Sequence, residues 1–161
     1  MARQIYFAKK ALLANGWADN VRFDVIDGSI KSITINTMVN GAIYLNGPVI
    51  PTVANLHSHA FQRVMAGMAE VSLDPNDSFW SCRELMYKVV NKLTPNDLRI
   101  IATQLYIDML KAGYTQVAEF HYLHHQQNGQ AYSQINEMAV QLMQAADTAG
   151  IGLTLLPVLY S

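Results

Sequence analysis

The apolar and polar positions of this chain follow two rhythms, and the change comes near residue 50. In the first stretch the rhythm is short. Val21, Phe23 and Val25 alternate with Arg22 and Asp24, the period-two pattern of a half-buried strand. Asp27-Gly28 turns that strand into Ile30 to Ile35, so the pair reads as a hairpin. Gln4 to Phe7 is a further short strand, followed by a hairpin-type turn at Asn15-Gly16. Ala42 to Leu45 is another, and Gly47-Pro48 turns the chain into Val49-Ile50. A few strands this short cannot build a large core alone. Residues 1–50 therefore read as a partial β-sandwich lobe packed against the rest of the chain.

From Pro51 onward strands alternate with helices. Thr52 to Leu56 is apolar and partly β-branched, a short buried strand opened by Pro51. Ala60 to Met68 reads as a short helix or helical turn, and Val71 to Asp77 as a polar loop. Asp77 or Ser78 can cap a helix from Phe79 to Leu93, whose apolar stripe is Phe79, Cys82, Met86, Val89, Val90 and Leu93. Thr94-Pro95 opens a second helix, with Leu98, Ile101, Leu105, Met109 and Leu110 on its buried face and Gly113 as its stop. Tyr114 to Phe120 is a strand, and Leu123 to Gln130 a polar loop. A third helix spans Ser133 to Thr148, with Ile135, Met138, Leu142 and Met143 inward and Gly150 as its stop. Ile151 to Leu159 is almost wholly apolar, the pattern of a fully buried parallel strand. Strand, helices, strand, helix, strand is the order of an α/β parallel sheet. A closed (β/α)8 TIM barrel needs eight strands and typically ~250 residues. Residues 51–161 thus read as its first three strands and intervening helices, and the chain as the front piece of a larger protein. The other reading is a complete three-stranded α/β domain.

Composition sharpens this picture. Of 161 residues 51% are hydrophobic and 14% charged, against roughly 25% charged in a typical domain. So little charge suggests a surface covered by a partner subunit or by further chain. The net charge of −1 gives no electrostatic case for nucleic acid or an anionic membrane. No apolar run approaches the ~20 residues of a membrane helix. Residues 1–20 lack the continuous apolar core of a signal peptide. The single cysteine, Cys82, excludes an internal disulfide and fits a reducing, cytoplasmic setting.

The chemistry gathers at His57-Ser58-His59. Residues i and i+2 of a strand point to the same side, so two imidazoles would project together from the carboxyl end of a buried strand. Parallel α/β architectures carry their chemistry at that end. Two aligned imidazoles make half of a tetrahedral zinc site. They are equally well two histidines hydrogen-bonded to backbone or water.

The segments NLHSHAFQR, DSFWSCRELMY, LTP, LYIDMLKAGYTQVAEFHYLHH and GIGLTLLPVLYS together resemble the formimidoylglutamate deiminase family, within the amidohydrolase superfamily. The likeness runs from about Pro51 to Ser161 and more loosely over residues 1–50. A Pro-Gly that recurs in the family before the first barrel strand is Pro51-Thr52 here. The resemblance implies that His57 and His59 are two ligands of one catalytic Zn2+. Another histidine and an aspartate, with the histidine and glutamate that handle protons, are implied on later strands, so no catalytic residue is expected within this chain. The implied reaction is hydrolysis of N-formimino-L-glutamate to N-formyl-L-glutamate and ammonia in histidine degradation, by water activated on zinc. The implied parent is a homodimer, and this chain by itself is expected to be inactive.

Three residues are candidate contacts for such a substrate. Gln62 follows His59 by three positions and has an amide that can donate or accept, or it is simply solvated. Arg83 is expected on the inward edge of its helix, where it needs a carboxylate: a dicarboxylic substrate, or an internal partner such as Glu119. Tyr122 follows the second strand and offers a hydroxyl, or packs on the rim. Glu119 and His121 read as structural or supporting groups, His124 and His125 as solvated, and Cys82 as a small core residue. Two other functions stay open: an aminohydrolase acting on a nucleobase or related ring, and a non-catalytic α/β fragment.

Overall fold

The structure is a computed structural model, and it describes residues 2–68 and 79–159, without the side chains of residues 79–82. The expected loop over Val71 to Asp77, the caps Asp77 and Ser78, and the stripe positions Phe79 and Cys82 lie outside the described residues or side chains. Two compact units are present, Met1–Thr52 and Val53–Ser161.

The first unit is one four-stranded sheet in the order β3-β2-β1-β4. Its strands are β1 (Arg3–Leu13), β2 (Gly16–Ile26), β3 (Ser29–Thr34) and β4 (Ile43–Leu45). β1 and β2 are longer than the alternation indicated, because the ladder skips Lys9 and Asn20 and resumes at Lys10 and Asp19, polar residues that carry no apolar signal. At the β2–β3 hairpin Asp27 and Gly28 both have positive φ, 48° and 76°, as the tightest hairpin turn demands. Ala8, Ala11, Val21 and Phe23 form the small core, while all of β3 is exposed. Among the described residues this unit has a single sheet, where a sandwich has two.

The second unit is a parallel sheet in the order β5-β6-β7, made by Val53–Ser58, Tyr114–His121 and Gly152–Pro157. A 3-10 helix (Ala60–Met65), α1 (Phe79–Val90) and α2 (Pro95–Lys111) connect β5 to β6, and α3 (Glu137–Ala149) connects β6 to β7. The fold is mixed α/β, an incomplete (β/α)8 arrangement with an additional N-terminal β region. Thr94 caps α2 through a reciprocal box with Asp97, and Pro95 occupies the first turn. The centre of the buried α2 face is Ala102 and Tyr106, between Leu98 and Met109, with Ile101, Leu105 and Leu110 on its flanks. A small residue and a tyrosine carry little apolar signal, which hid that centre in the sequence.

Three expectations are corrected here. β5 is largely exposed, with Leu56 at 75%, where Thr52 to Leu56 reads in the sequence as a buried strand. α3 starts at Glu137, so Ile135 lies before it and is exposed; Met143 falls away from the Met138–Leu142–Ala146 stripe and is exposed as well. β7 is shorter than Ile151 to Leu159 and only half-buried, and Leu159 is 83% exposed. Among the described residues no helix is long and apolar enough to cross a membrane.

Candidate functional site

The carboxyl end of β5 meets that of β6, with Ser58 beside Glu119 in register. Ser58 turns into the interior, and the histidines on either side of it turn the other way. Asn55 Oδ1 accepts the backbone N–H of His57 at 3.0 Å and steadies the irregular end of the strand. The two imidazoles stand nearly perpendicular, 87° apart with ring centroids at 4.6 Å, and their Nε2 atoms face each other at 2.9 Å. His59 Nδ1 lies 3.1 Å from the carbonyl oxygen of Phe120. A carbonyl can only accept, so Nδ1 carries the proton and Nε2 keeps its lone pair. The Phe120 ring packs against His57 at 4.6 Å, and Tyr122 lies 5.0 Å from His59.

Two converging nitrogens, one of them fixed as a bare donor, suit a divalent metal with a taste for imidazole. They amount to half of a tetrahedral set. Among the described residues no group of three or more His, Cys, Asp or Glu side chains could hold a metal ion.

The candidate contacts differ in place: Tyr122 lies beside the pair, whereas Gln62 and Arg83 meet groups of α1. Gln62 is exposed, with its amide nitrogen 3.7 Å from the sulfur of Met86 on α1. Arg83, three positions earlier on α1, is exposed instead of inward. It bonds the Tyr87 hydroxyl through Nε at 3.2 Å and Nη2 at 3.0 Å, with its guanidinium 5.4 Å from the Tyr87 ring centre. Burial therefore forces no carboxylate on Arg83. Tyr122 is half-buried beside His59.

Behind the pair lies a polar cluster that the sequence disclosed only in fragments. Glu119 is 1% exposed, and its Oε1 accepts the N–H of Ala60 at 2.5 Å. Burial raises its pKa, against the pull of the Ala60 and Ser58 hydrogen bonds and of His59. Tyr106 of α2 lies against it, and burial raises the phenol too. Among the described residues Tyr106 Oη, Glu119 Oε2 and His121 Nε2 are buried without a hydrogen-bond partner. Burial lowers the pKa of His121 from 6.5 to about 4, with His124 pushing the same way. His124 is not solvated as expected: it is half-buried, and its Nε2 donates to the Val158 carbonyl at 2.8 Å. His125 is exposed.

Residues 3–42 match the family profile described as formimidoylglutamate deiminase HutF, N-terminal domain. Over 156 residues, 96% of its length, the chain is 57% identical to a curated formimidoylglutamate deiminase from Pseudomonas aeruginosa. The chain is a relative of the formimidoylglutamate deiminases. It covers 34% of that deiminase, about a third of its length. A crystal structure of an amidohydrolase from Brucella melitensis superposes with a TM-score of 0.92 at 48% identity, over 98% of this chain and 35% of that one. A guanine deaminase from C. acetobutylicum, solved with guanine in its active site, matches at a TM-score of 0.71 and 21% identity, over 96% of this chain and 36% of that one. That second likeness speaks for the fold alone. The deiminase resemblance and the amidohydrolase fold thus rest on separate comparisons, one of sequence and one of structure.

Proposed function

We propose that this chain forms part of a zinc-dependent hydrolase of carbon–nitrogen bonds that converts N-formimino-L-glutamate to N-formyl-L-glutamate and ammonia. The observation that carries the reading is the 57% identity to formimidoylglutamate deiminase. The facing Nε2 atoms of His57 and His59 support it, because they suit two ligands of one Zn2+. When bound, the metal supplies a nucleophile at neutral pH by lowering the pKa of water. In the overall reaction the amidine-like carbon gains the oxygen of water, its bond to the imino nitrogen breaks, and that nitrogen leaves as ammonia. The residues of this chain hold and orient. Phe120's carbonyl keeps His59 in the tautomer that presents Nε2. Gln62, Arg83 and Tyr122 are the proposed contacts for the substrate's polar ends; the planar fork of Arg83 suits a carboxylate. The remaining ligands and the proton-transfer groups would come from the two thirds of the deiminase that this chain does not cover.

The residues 1–50 and 51–161 are proposed as an N-terminal β lobe and the opening strands of a barrel. A homodimer and a cytoplasmic setting fit the sparse charge and the single cysteine. Ammonia release by the full-length protein from N-formimino-L-glutamate, with guanine as the competing substrate, tests the activity. Faster turnover of guanine would reject it. Arg83→Ala in the same protein should weaken use of the glutamyl substrate by about 2–4 kcal/mol, mainly through KM. Unchanged kinetics with intact folding would show that Arg83 is structural.

A further inference from the structure

The 3-10 helix after β5 begins at Ala60, and its N-cap residue is His59. A cap residue ordinarily turns its side chain back on the first N–H groups of its own helix. His59 makes no such bond. Its imidazole is committed elsewhere, Nδ1 to the Phe120 carbonyl and Nε2 toward His57. The N–H of Ala60 is satisfied from the next strand instead, by Glu119 Oε1 at 2.5 Å. Consecutive residues of β6, Glu119 and Phe120, thereby hold consecutive residues of the turn, Ala60 through its backbone and His59 through its ring. Ser58, between the histidines, lies opposite Glu119 in register. A carboxyl 1% exposed on an interior strand is a costly way to fill space, and an apolar side chain would do so without desolvation.

We propose that Glu119 is a positioning residue for the histidine pair, capping the turn in trans so that His59 is released from capping and its Nε2 faces that of His57. This rests on the reading of the pair as zinc ligands. The decisive property is reach to the Ala60 N–H, and two substitutions separate reach from charge. Glu119→Gln keeps an oxygen at the same distance along the side chain and loses the charge. Glu119→Asp keeps the charge and withdraws it by one methylene.

Zinc affinity of the full-length protein is measured by competition with a chromogenic chelator, with thermal unfolding of the metal-free form as the check on folding. Glu119→Gln should bind zinc within about threefold of wild type, and Glu119→Asp should bind about 10–100-fold more weakly, the usual cost of losing a group that orients a ligand. Cobalt substitution should alter the visible spectrum in Glu119→Asp alone. A purely structural role would lower the unfolding temperature and leave the affinity of the folded fraction unchanged, and that result overturns the proposal. Weak binding by Glu119→Gln, or wild-type affinity in both variants, also overturns it. Should Glu119→Asp fail to fold, Glu119→Ala takes its place: a loss of affinity of about tenfold or more in the folded protein, with Glu119→Gln retained, upholds the proposal, and wild-type affinity sinks it. If wild type binds zinc no better than the His57→Ala, His59→Ala double variant, the ligand reading itself falls and takes this inference with it.

Discussion

His57 and His59 leave the end of β5 with ring centroids 4.6 Å apart and planes at 87°; His121 and His124, at and just beyond the end of β6, sit at 4.8 Å and 76°. Type, spacing and ring geometry barely distinguish the two pairs. Their surroundings do. His57 is exposed and His59 half-buried, and the two Nε2 atoms are turned on each other. His121 is 3% exposed, with its Nε2 buried and unpartnered, and His124 spends its Nε2 on the carbonyl of Val158. The N–H of Val158 in turn donates to the His121 carbonyl at 2.9 Å. The first pair turns its outer ring nitrogens on each other, the arrangement proposed above to take a metal; the second ties the end of β6 to the segment after β7. Whether a histidine serves a metal or the scaffold is thus decided by what its other nitrogen meets and by how much water reaches it.

The largest effect should separate the pairs outright. In the full-length protein, His57→Ala or His59→Ala should weaken zinc binding by more than about 100-fold, since each removes a donor atom and not merely its support. His124→Ala should leave the affinity within about threefold. Chelator competition reads both. Equal losses from the two pairs would break the comparison and make the β6 histidines ligands too.

A pH titration of stability should single out His121. Its folded pKa, about 4, lies below the ordinary 6.5, so the unfolded chain binds the proton more readily between those values. The stabilising burial of the neutral ring is fully present above pH 6.5 and is lost as pH falls toward 4. A displacement of that size corresponds to about 3 kcal/mol at roughly 1.4 kcal/mol per unit. Glu119 acts in the opposite sense, because a raised carboxyl pKa favours the fold at low pH and opposes it as pH rises. Only the difference between wild type and His121→Leu isolates the histidine. Denaturant midpoints of the full-length protein at pH 7 and pH 4.5 should converge in His121→Leu relative to wild type. Parallel losses in both proteins would show that the ring is already charged in the fold.

How far the sequence exposed this arrangement depended on the kind of signal. The His57-Ser58-His59 spacing announced the pairing of the rings, because i and i+2 of a strand share a side, although His59 itself lies past the end of β5, in the turn. Caps and stops were equally legible at Thr94, Pro95 and Gly150, each of which has a local backbone reason for its place. What stayed hidden depended on contacts distant in the chain. Arg83 was expected inward from its neighbours on the helix, yet the tyrosine one turn on holds it at the surface. His124 looked solvated within a polar loop until Val158, 34 residues later, came alongside. Glu119 stood in an apolar strand with nothing to indicate that an N–H across the sheet awaited it. Periodicity reports which side a residue faces, and it does not report which partner has been folded onto that side.

The smallest effect tests the scaffold half of the comparison. His124→Ala removes the donor to Val158's carbonyl and should cost about 1 kcal/mol of stability, the net worth of one partly buried hydrogen bond. Because His124 also pushes the pKa of His121 down, its removal should let His121 take up its proton at a slightly higher pH. The acid-induced loss of stability would then be smaller in His124→Ala and level off at a slightly higher pH, while zinc affinity stays put. Paired denaturation and chelator titrations of one variant read both quantities. A variant that loses zinc in step with its stability would mean that the β6 end reaches the metal ligands through the sheet, and the separation between the two pairs would dissolve.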